Sequence, residues 1–194
     1  KPIATFYKPT VDIREVEDQC HYVYCDVRDE AKVFELVAEH LPSTIYHLAA
    51  QSYPAVSWQF PIETMDINVN GTINLFESIK KVRTTKPDYD PVVVVACSSA
   101  GYGNSLMKSD EPVTEDTEFL PFHPYGVSKV AQDLLAYQYF VSFNIKTIRA
   151  RIFNTTGVRK VNDVVSDFTK RAVQLEKGLI SEFTCGTLSN KRSI

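Results

Sequence analysis

Pro91-Val-Val-Val-Val-Ala-Cys97 is an unbroken apolar run, followed at once by Ser98-Ser99. A strand without polar alternation is covered on both faces, the habit of parallel sheets flanked by helices. Ser98 and Ser99 then sit at the carboxyl end of that strand, where such sheets bind ligands. Downstream, Tyr125 to Phe143 reads as a helix, with Pro124 just before its first turn. Tyr125 and Lys129, four residues apart, share a face of that helix. A cation beside a phenol favours the phenolate. Tyr125 is therefore expected to have a lowered pKa and to serve as a general acid–base near neutral pH. Tyr-x-x-x-Lys alone is an ordinary helical pair. With Ser98 at the preceding strand end, the three become a candidate for moving a proton while a cofactor moves a hydride.

Working outward, strands and helices alternate. Pro2 to Tyr7, His21 to Val27, Thr44 to Ala50 and Lys146 to Phe153 read as strands. Glu30 to Leu41 carries Val33, Leu36 and Val37 at helical spacing, and Pro61 to Val82 reads as one long helix. Val164 to Lys177 is a further helix closed by Gly178, and Glu182 to Cys185 begins a last strand. Trp58, in a loop on this reading, is assigned to partly buried packing. Such alternation implies right-handed βαβ units. The fold class is α/β, a doubly wound, Rossmann-like parallel sheet. Residues 1–160 are assigned to a dinucleotide-binding domain and 161–194 to the start of a substrate-binding region.

None of the seven glycines lies in the first seventy residues. A dinucleotide fold opens with a strand, a glycine-rich turn and a helix whose N-terminus holds the pyrophosphate. The chain starts at what reads as the second strand and ends within an element, so truncation at both ends is expected.

With 194 residues, 44% apolar and 23% charged, the composition is that of a globular chain. A net charge of −3 gives no reason to expect a nucleic-acid partner. No run is long enough to span a membrane and no signal-peptide pattern is present. Cys20, Cys25, Cys97 and Cys185 show no ligand spacing and the four histidines are scattered. No metal is expected, and the cysteines read as reduced, in a cytoplasmic protein.

Several segments, in order, resemble the extended short-chain dehydrogenase/reductases that act on nucleotide sugars, and most nearly their GDP-mannose 4,6-dehydratase and GDP-4-keto-6-deoxymannose reductase branch. They are Cys25-Asp-Val27, His47-Leu-Ala-Ala-Gln-Ser52, Asn68-Val-Asn-Gly-Thr72, Ser98-Ser-Ala-Gly-Tyr-Gly103, Pro124-Tyr-Gly-Val-Ser-Lys129 and Arg151-Ile-Phe-Asn154, with Asp167 to Arg171 and Asn190 to Arg192 following. The resemblance implies an NAD(P)-dependent enzyme of the epimerase, dehydratase or reductase type, acting on a nucleotide-diphosphate sugar by hydride transfer at C4. It implies catalytic roles for Ser98, Tyr125 and Lys129. Cofactor contacts would come from Asp26, Val27, Leu48, Ala49, Ala50, Gln51, Tyr125 and Lys129, and substrate contacts from Ser98, Ser99, Asn154, Arg171 and Arg192. It further implies a homodimer or homotetramer built on the helices Pro61–Val82 and Tyr125–Phe143.

One residue departs from the dehydratase pattern. Ala100 stands where that branch carries the carboxylate that removes the C5 proton. Alanine takes no proton, which favours an epimerase or reductase over a 4,6-elimination. Lys8, after the first strand, favours the 2′-phosphate of NADP over NAD, though it also reads as a solvated lysine. Asp26 could equally cap the helix starting near Arg28, and Arg171 and Arg192 could be surface cations. A degenerate relative, keeping the fold as a binding or structural protein without turnover, is the competing reading.

Overall fold

The computed structural model describes residues 1–9, 12–16, 18–108, 111–157, 160–161 and 163–189. The chain divides into two compact units, Tyr24–Ile152 and the pairing of Lys1–Val23 with Phe153–Ile194. In chain order the strands are β1 (Ile3–Phe6), β2 (His21–Tyr24), β3 (Thr44–His47), β4 (Val92–Ala96) and β5 (Lys146–Ala150). The helices are α1 (Glu30–His40), α2 (Pro54–Gln59), α3 (Pro61–Met65), α4 (Gly71–Thr85), α5 (Pro124–Phe143) and α6 (Val164–Glu176).

The Tyr24–Ile152 unit is built on a parallel sheet of order β3-β4-β5. The apolar run forms its middle strand, with Val93 opposite Ile45 and Thr147. Val93 and Val95 are fully buried, and around them pack Val33 and Val37 of α1, Phe76 and Ile79 of α4, and Ala136 and Tyr139 of α5. Phe76 stacks on Tyr139 with ring centroids 4.5 Å apart. Burying a side chain of that size stabilises by ~1.5–3 kcal/mol.

The strands end earlier than the sequence suggested. β2, β3 and β5 stop at Tyr24, His47 and Ala150, because backbone pairing ceases although the apolar pattern continues. The expected helix from Pro61 is two helices joined by a π-turn, Asp66–Asn70. The π-turn carries Asn68, which is fully buried, and leads into Gly71. A Cβ on Gly71 would lie 2.6 Å from Val27 Cγ2, so only glycine lets α4 start this close to the β2–α1 loop. The cap of α1 is Asp29, whose side chain accepts from the Lys32 N–H, and not Asp26. Trp58 lies in α2, a helix the sequence did not announce, and is 63% exposed.

In the other unit β1 and β2 pair in a two-stranded sheet. α6 starts with a reciprocal cap between Asp163 and Ser166 and has no buried residue. Residues 182–185 form no strand. The Thr184 carbonyl accepts from the Arg171 guanidinium instead of a neighbouring strand.

Candidate active site

β4 delivers Ser98 one residue past the buried Cys97, in extended conformation. The Ser98 hydroxyl accepts from the Ala100 N–H at 3.1 Å, which forms the tight turn Ser99–Gly101. The first turn of α5 rests on that turn. A Cβ on Gly126 would lie 2.9 Å from the Ala100 carbonyl oxygen, so the glycine permits the approach. Tyr125 and Lys129 follow on successive turns of α5. Lys129 is buried, its Nζ donates to the Ala96 carbonyl at 2.8 Å and stands 5.8 Å from the centre of the Tyr125 ring. The three residues picked from sequence are thus brought together at the carboxyl end of β4.

The electrostatics differ from expectation. Burial raises the Tyr125 pKa above the ordinary phenol value, and hydrogen bonding by Ser98 pulls it back only in part. Burial lowers the Lys129 pKa to about 8, so the amine still carries its proton at neutral pH but holds it less firmly than an exposed lysine. Its ammonium is also turned to the Ala96 carbonyl.

Behind the pair lies a buried polar cluster. The Asn68 side chain accepts from the Gln51 N–H at 2.8 Å and donates to the Gln51 carbonyl at 3.1 Å and the Ser128 hydroxyl at 2.8 Å. Thr72 Oγ1 donates to the Asn68 carbonyl, receives Gln132 Nε2 at 2.7 Å and meets His47 Nε2 at 2.9 Å. Burial first, then the charge of Lys129, lowers the His47 pKa to about 4. Sequence reading quoted His47, Thr72 and Ser128 only inside longer motifs, with no role of their own, and did not name Gln132. One signal existed for His47: it lies two residues after Ile45 on a strand, hence on the same face.

A second buried group orders the site's other flank. Asp133 of α5 is 1% exposed and takes Arg151 Nε and Arg149 Nη1, each at 2.8 Å. Burial pushes its carboxyl pKa up, but the two guanidinium groups outweigh that and hold it below the usual range. Arg151 also donates to the Glu115 carbonyl at 2.6 Å and lies 4.4 Å from the centre of the Phe119 ring. It thereby ties the segment after Ser98 to α5.

The remaining predicted residues fall as follows. Asp26 receives the Arg28 backbone N–H at 3.0 Å and its guanidinium at 2.7 Å. Val27 is half-buried and its carbonyl accepts from Asn74. Leu48 is exposed, while Ala49, Ala50 and Ser99 are half-buried. In the other unit, Lys8 has φ 43° and sits 5.1 Å over the Tyr7 ring. Asn154 is exposed, and Arg171 pairs with Asp167 at 2.9 Å. Arg192 lies outside the described residues. Ala100 is half-buried, Glu111 and Glu115 are exposed, and among the described residues no carboxylate contributes to the Tyr125 pKa. Among the described residues no group of three His, Cys, Asp or Glu could hold a metal, and no helix is long and apolar enough to cross a membrane.

The model of the family described as GDP-mannose 4,6 dehydratase matches residues 5–194. A GDP-mannose 4,6-dehydratase of Vibrio cholerae is 30% identical over 170 residues, covering 87% of this chain and 44% of that relative. The chain therefore spans less than half the length of that curated relative. RMD from Pseudomonas aeruginosa, solved with NADPH, shares the fold at TM-score 0.73 and 24% identity, over 87% of this chain and 58% of that one. UDP-glucose 4-epimerase from Brucella ovis, solved with NAD, gives TM-score 0.70 and 26% identity over 80% and 45% of the two chains.

Proposed function

The chain belongs to the GDP-mannose 4,6-dehydratase family, and from that membership we propose that it works as the dinucleotide-binding part of an NAD(P)-dependent enzyme modifying a nucleotide-diphosphate sugar at C4. The observation that carries this reading is the convergence of Ser98, Tyr125 and Lys129 at the carboxyl end of β4. The neighbouring edge fits a dinucleotide. β3 and β4 end side by side, with exposed Leu48 and the small Ala49 and Ala50 following β3, at the strand ends where such sheets take ligands. Asp26, Val27, Gln51 and Lys129 would complete that contact, with residues 1–160 as the cofactor domain and 161–194 opening the substrate region. Lys8 favours NADP over NAD. Solved relatives hold NADPH or NAD, which supports either.

A bound nicotinamide would supply the hydride acceptor or donor. Tyr125 takes the proton of the C4 hydroxyl as the C4 hydrogen leaves with its electron pair, giving a ketone; both flows reverse in reduction. Ser98 hydrogen-bonds the same oxygen as its charge develops. Lys129, at the strand end, supports the phenolate once the site is charged. Because Ala100 replaces the C5 base and no carboxylate among the described residues contributes at Tyr125, epimerisation or reduction is favoured over 4,6-elimination. Ser99, Asn154, Arg171 and Arg192 are the proposed substrate contacts.

We further propose pairing of two copies, as a homodimer or homotetramer, through α5 and the helices from Pro61. Val127, Leu134, Tyr137 and Val141 are exposed along one stripe of α5, and Ile62 of α3 is 84% exposed. Sedimentation showing a monomer at micromolar concentration would rule this out.

The second reading, a non-catalytic relative, is favoured by the raised Tyr125 pKa. Calorimetric titration of the chain with NADP(H) and NAD(H), followed by hydride-transfer assays with GDP-, UDP- and dTDP-sugars, separates the two. The enzyme reading expects micromolar cofactor binding and hydride transfer that Tyr125→Phe abolishes while binding persists. Turnover unchanged in that variant, or no binding by the folded chain, rejects it.

A further inference from the structure

The helix that carries Tyr125 is capped by a titratable residue. His123 occupies the N-cap of α5 in extended conformation, and its Nδ1 accepts the Gly126 N–H at 2.9 Å. Serine, threonine, aspartate and asparagine are the usual residues at such positions. An imidazole nitrogen accepts only while unprotonated. With Nδ1 as acceptor, the neutral ring carries its proton on Nε2. Pro124, at the first helical position, has no N–H, so the cap serves the next residues.

The same ring touches the candidate machinery. It lies 5.9 Å from the Tyr125 ring, within 19° of parallel, and meets the Phe122 ring edge-on at 5.0 Å. Gly126 is wedged between its Cε1, at 3.2 Å from an added Cβ, and the Ala100 carbonyl oxygen at 2.9 Å. The cap, the Ser98 turn and the phenol therefore share one tightly packed corner. The other residues of that corner, Ala100, Pro121 and Phe122, carry no charge; Tyr125 is the titratable group against the ring. Burial lowers the His123 pKa, against a smaller push from backbone hydrogen bonding, and among the described residues no carboxylate or cation contributes.

We infer that His123 is a positioning residue of this site: the neutral imidazole caps α5 and keeps Tyr125 seated beside Ser98, and proton binding releases both. Protonated, Nδ1 becomes a donor facing a donor. The ring then also sets a positive charge at the positive end of the helix dipole. Since the folded pKa is below the ordinary 6.5, the cap is complete above that pH and is lost as pH falls beneath it. The link from cap to chemistry rests on the assignment of Tyr125 as acid–base group; the cap itself does not.

The test is an NMR titration of the ¹⁵N-labelled chain, following the His123 ring and the Gly126 amide together. Both should move with one midpoint below 6.5. Hydrogen-exchange protection at Tyr125–Val127, relative to mid-helix amides, should fall about fivefold on the acid side. His123→Ser, which caps through a hydroxyl, should remove the step. His123→Ala should show the low protection at every pH. A Gly126 amide that ignores the ring titration, or full protection in His123→Ala, overturns the inference. In hydride-transfer assays the acid limb of kcat should move down in His123→Ser with KM unchanged. A cap that titrates while kcat stays flat overturns the positioning role, whereas turnover surviving in Tyr125→Phe overturns the assignment of Tyr125.

Discussion

The two units of the chain are stabilised in different ways. Among the described residues every buried one, apolar or polar, lies within Tyr24–Ile152, and none in Lys1–Val23 and Phe153–Ile194. The first unit interlocks helices, sheet and a buried polar cluster. The second holds its shape by local devices: the reciprocal cap of α6, the Arg171–Asp167 pair, the contact of Phe168 with Phe183. The strand pairing has the same division, β1 with β2 in one sheet and β3-β4-β5 in the other. The lesson is that the proposed proton-transfer residues sit where packing over-determines geometry. The proposed contacts Lys8, Asn154 and Arg171 sit in the unit whose described residues include none that is buried.

The largest effect should come from breaking the packed unit and sparing the other. Phe76 is fully buried, whereas Val173 of α6 is 42% exposed. Phe76→Ala should cost about 3–5 kcal/mol of unfolding free energy. Val173→Ala should change it by no more than about 0.5 kcal/mol. Urea unfolding followed by tryptophan fluorescence and circular dichroism reads both. Equal losses would mean that the second unit shares a core after all.

Sequence made the packed unit legible in its apolar parts and left its polar parts hidden. The Val92–Ala96 strand and the α5 helix follow from run length, β-branching and the Pro124 signal, and with them the meeting of Ser98, Tyr125 and Lys129. The cluster around Asn68 does not follow, because its partners are far apart in sequence: Asn68 and Ser128 are 60 residues apart. Each of these polar side chains, read alone, belongs on a solvated face. The direction of the Tyr125 shift was illegible for a related reason. Spacing placed a lysine nearby, but burial of both groups, which spacing does not report, decides the balance. The strand expected at Glu182–Cys185 failed because a β-prone segment needs a partner, and Arg171 takes the Thr184 carbonyl.

A second test sharpens the contrast through pH. His47 is fully enclosed, with a folded pKa of about 4 against 6.5 in the ordinary state. The unfolded chain therefore takes up this proton first as pH falls. His47 contributes its full share above pH 6.5, and stability declines as pH drops from there toward 4. The loss from this group should approach about 3 kcal/mol. Urea unfolding at a series of pH values should show that slope, and His47→Gln should flatten it. An unchanged slope in the variant would place the acid sensitivity elsewhere.

The smallest expected effect on stability concerns Arg171, and it carries the most information about function. Its pair with Asp167 is more than a third exposed on both sides, and such pairs contribute from nothing to about 1 kcal/mol. Arg171→Ala should therefore leave the unfolding transition nearly unmoved, in keeping with a unit that has no buried residue among those described. If the arginine holds a diphosphate, affinity for a nucleotide-diphosphate sugar should still fall about tenfold, the loss of a charge-assisted contact of ~1.5 kcal/mol. Titration of wild type and variant with GDP- and UDP-sugars reads that change directly. Unmoved stability with weakened binding makes this exposed unit a place where charge is spent on ligand rather than fold. Unmoved binding reduces Arg171 to the helix pair that its contact with Asp167 already describes.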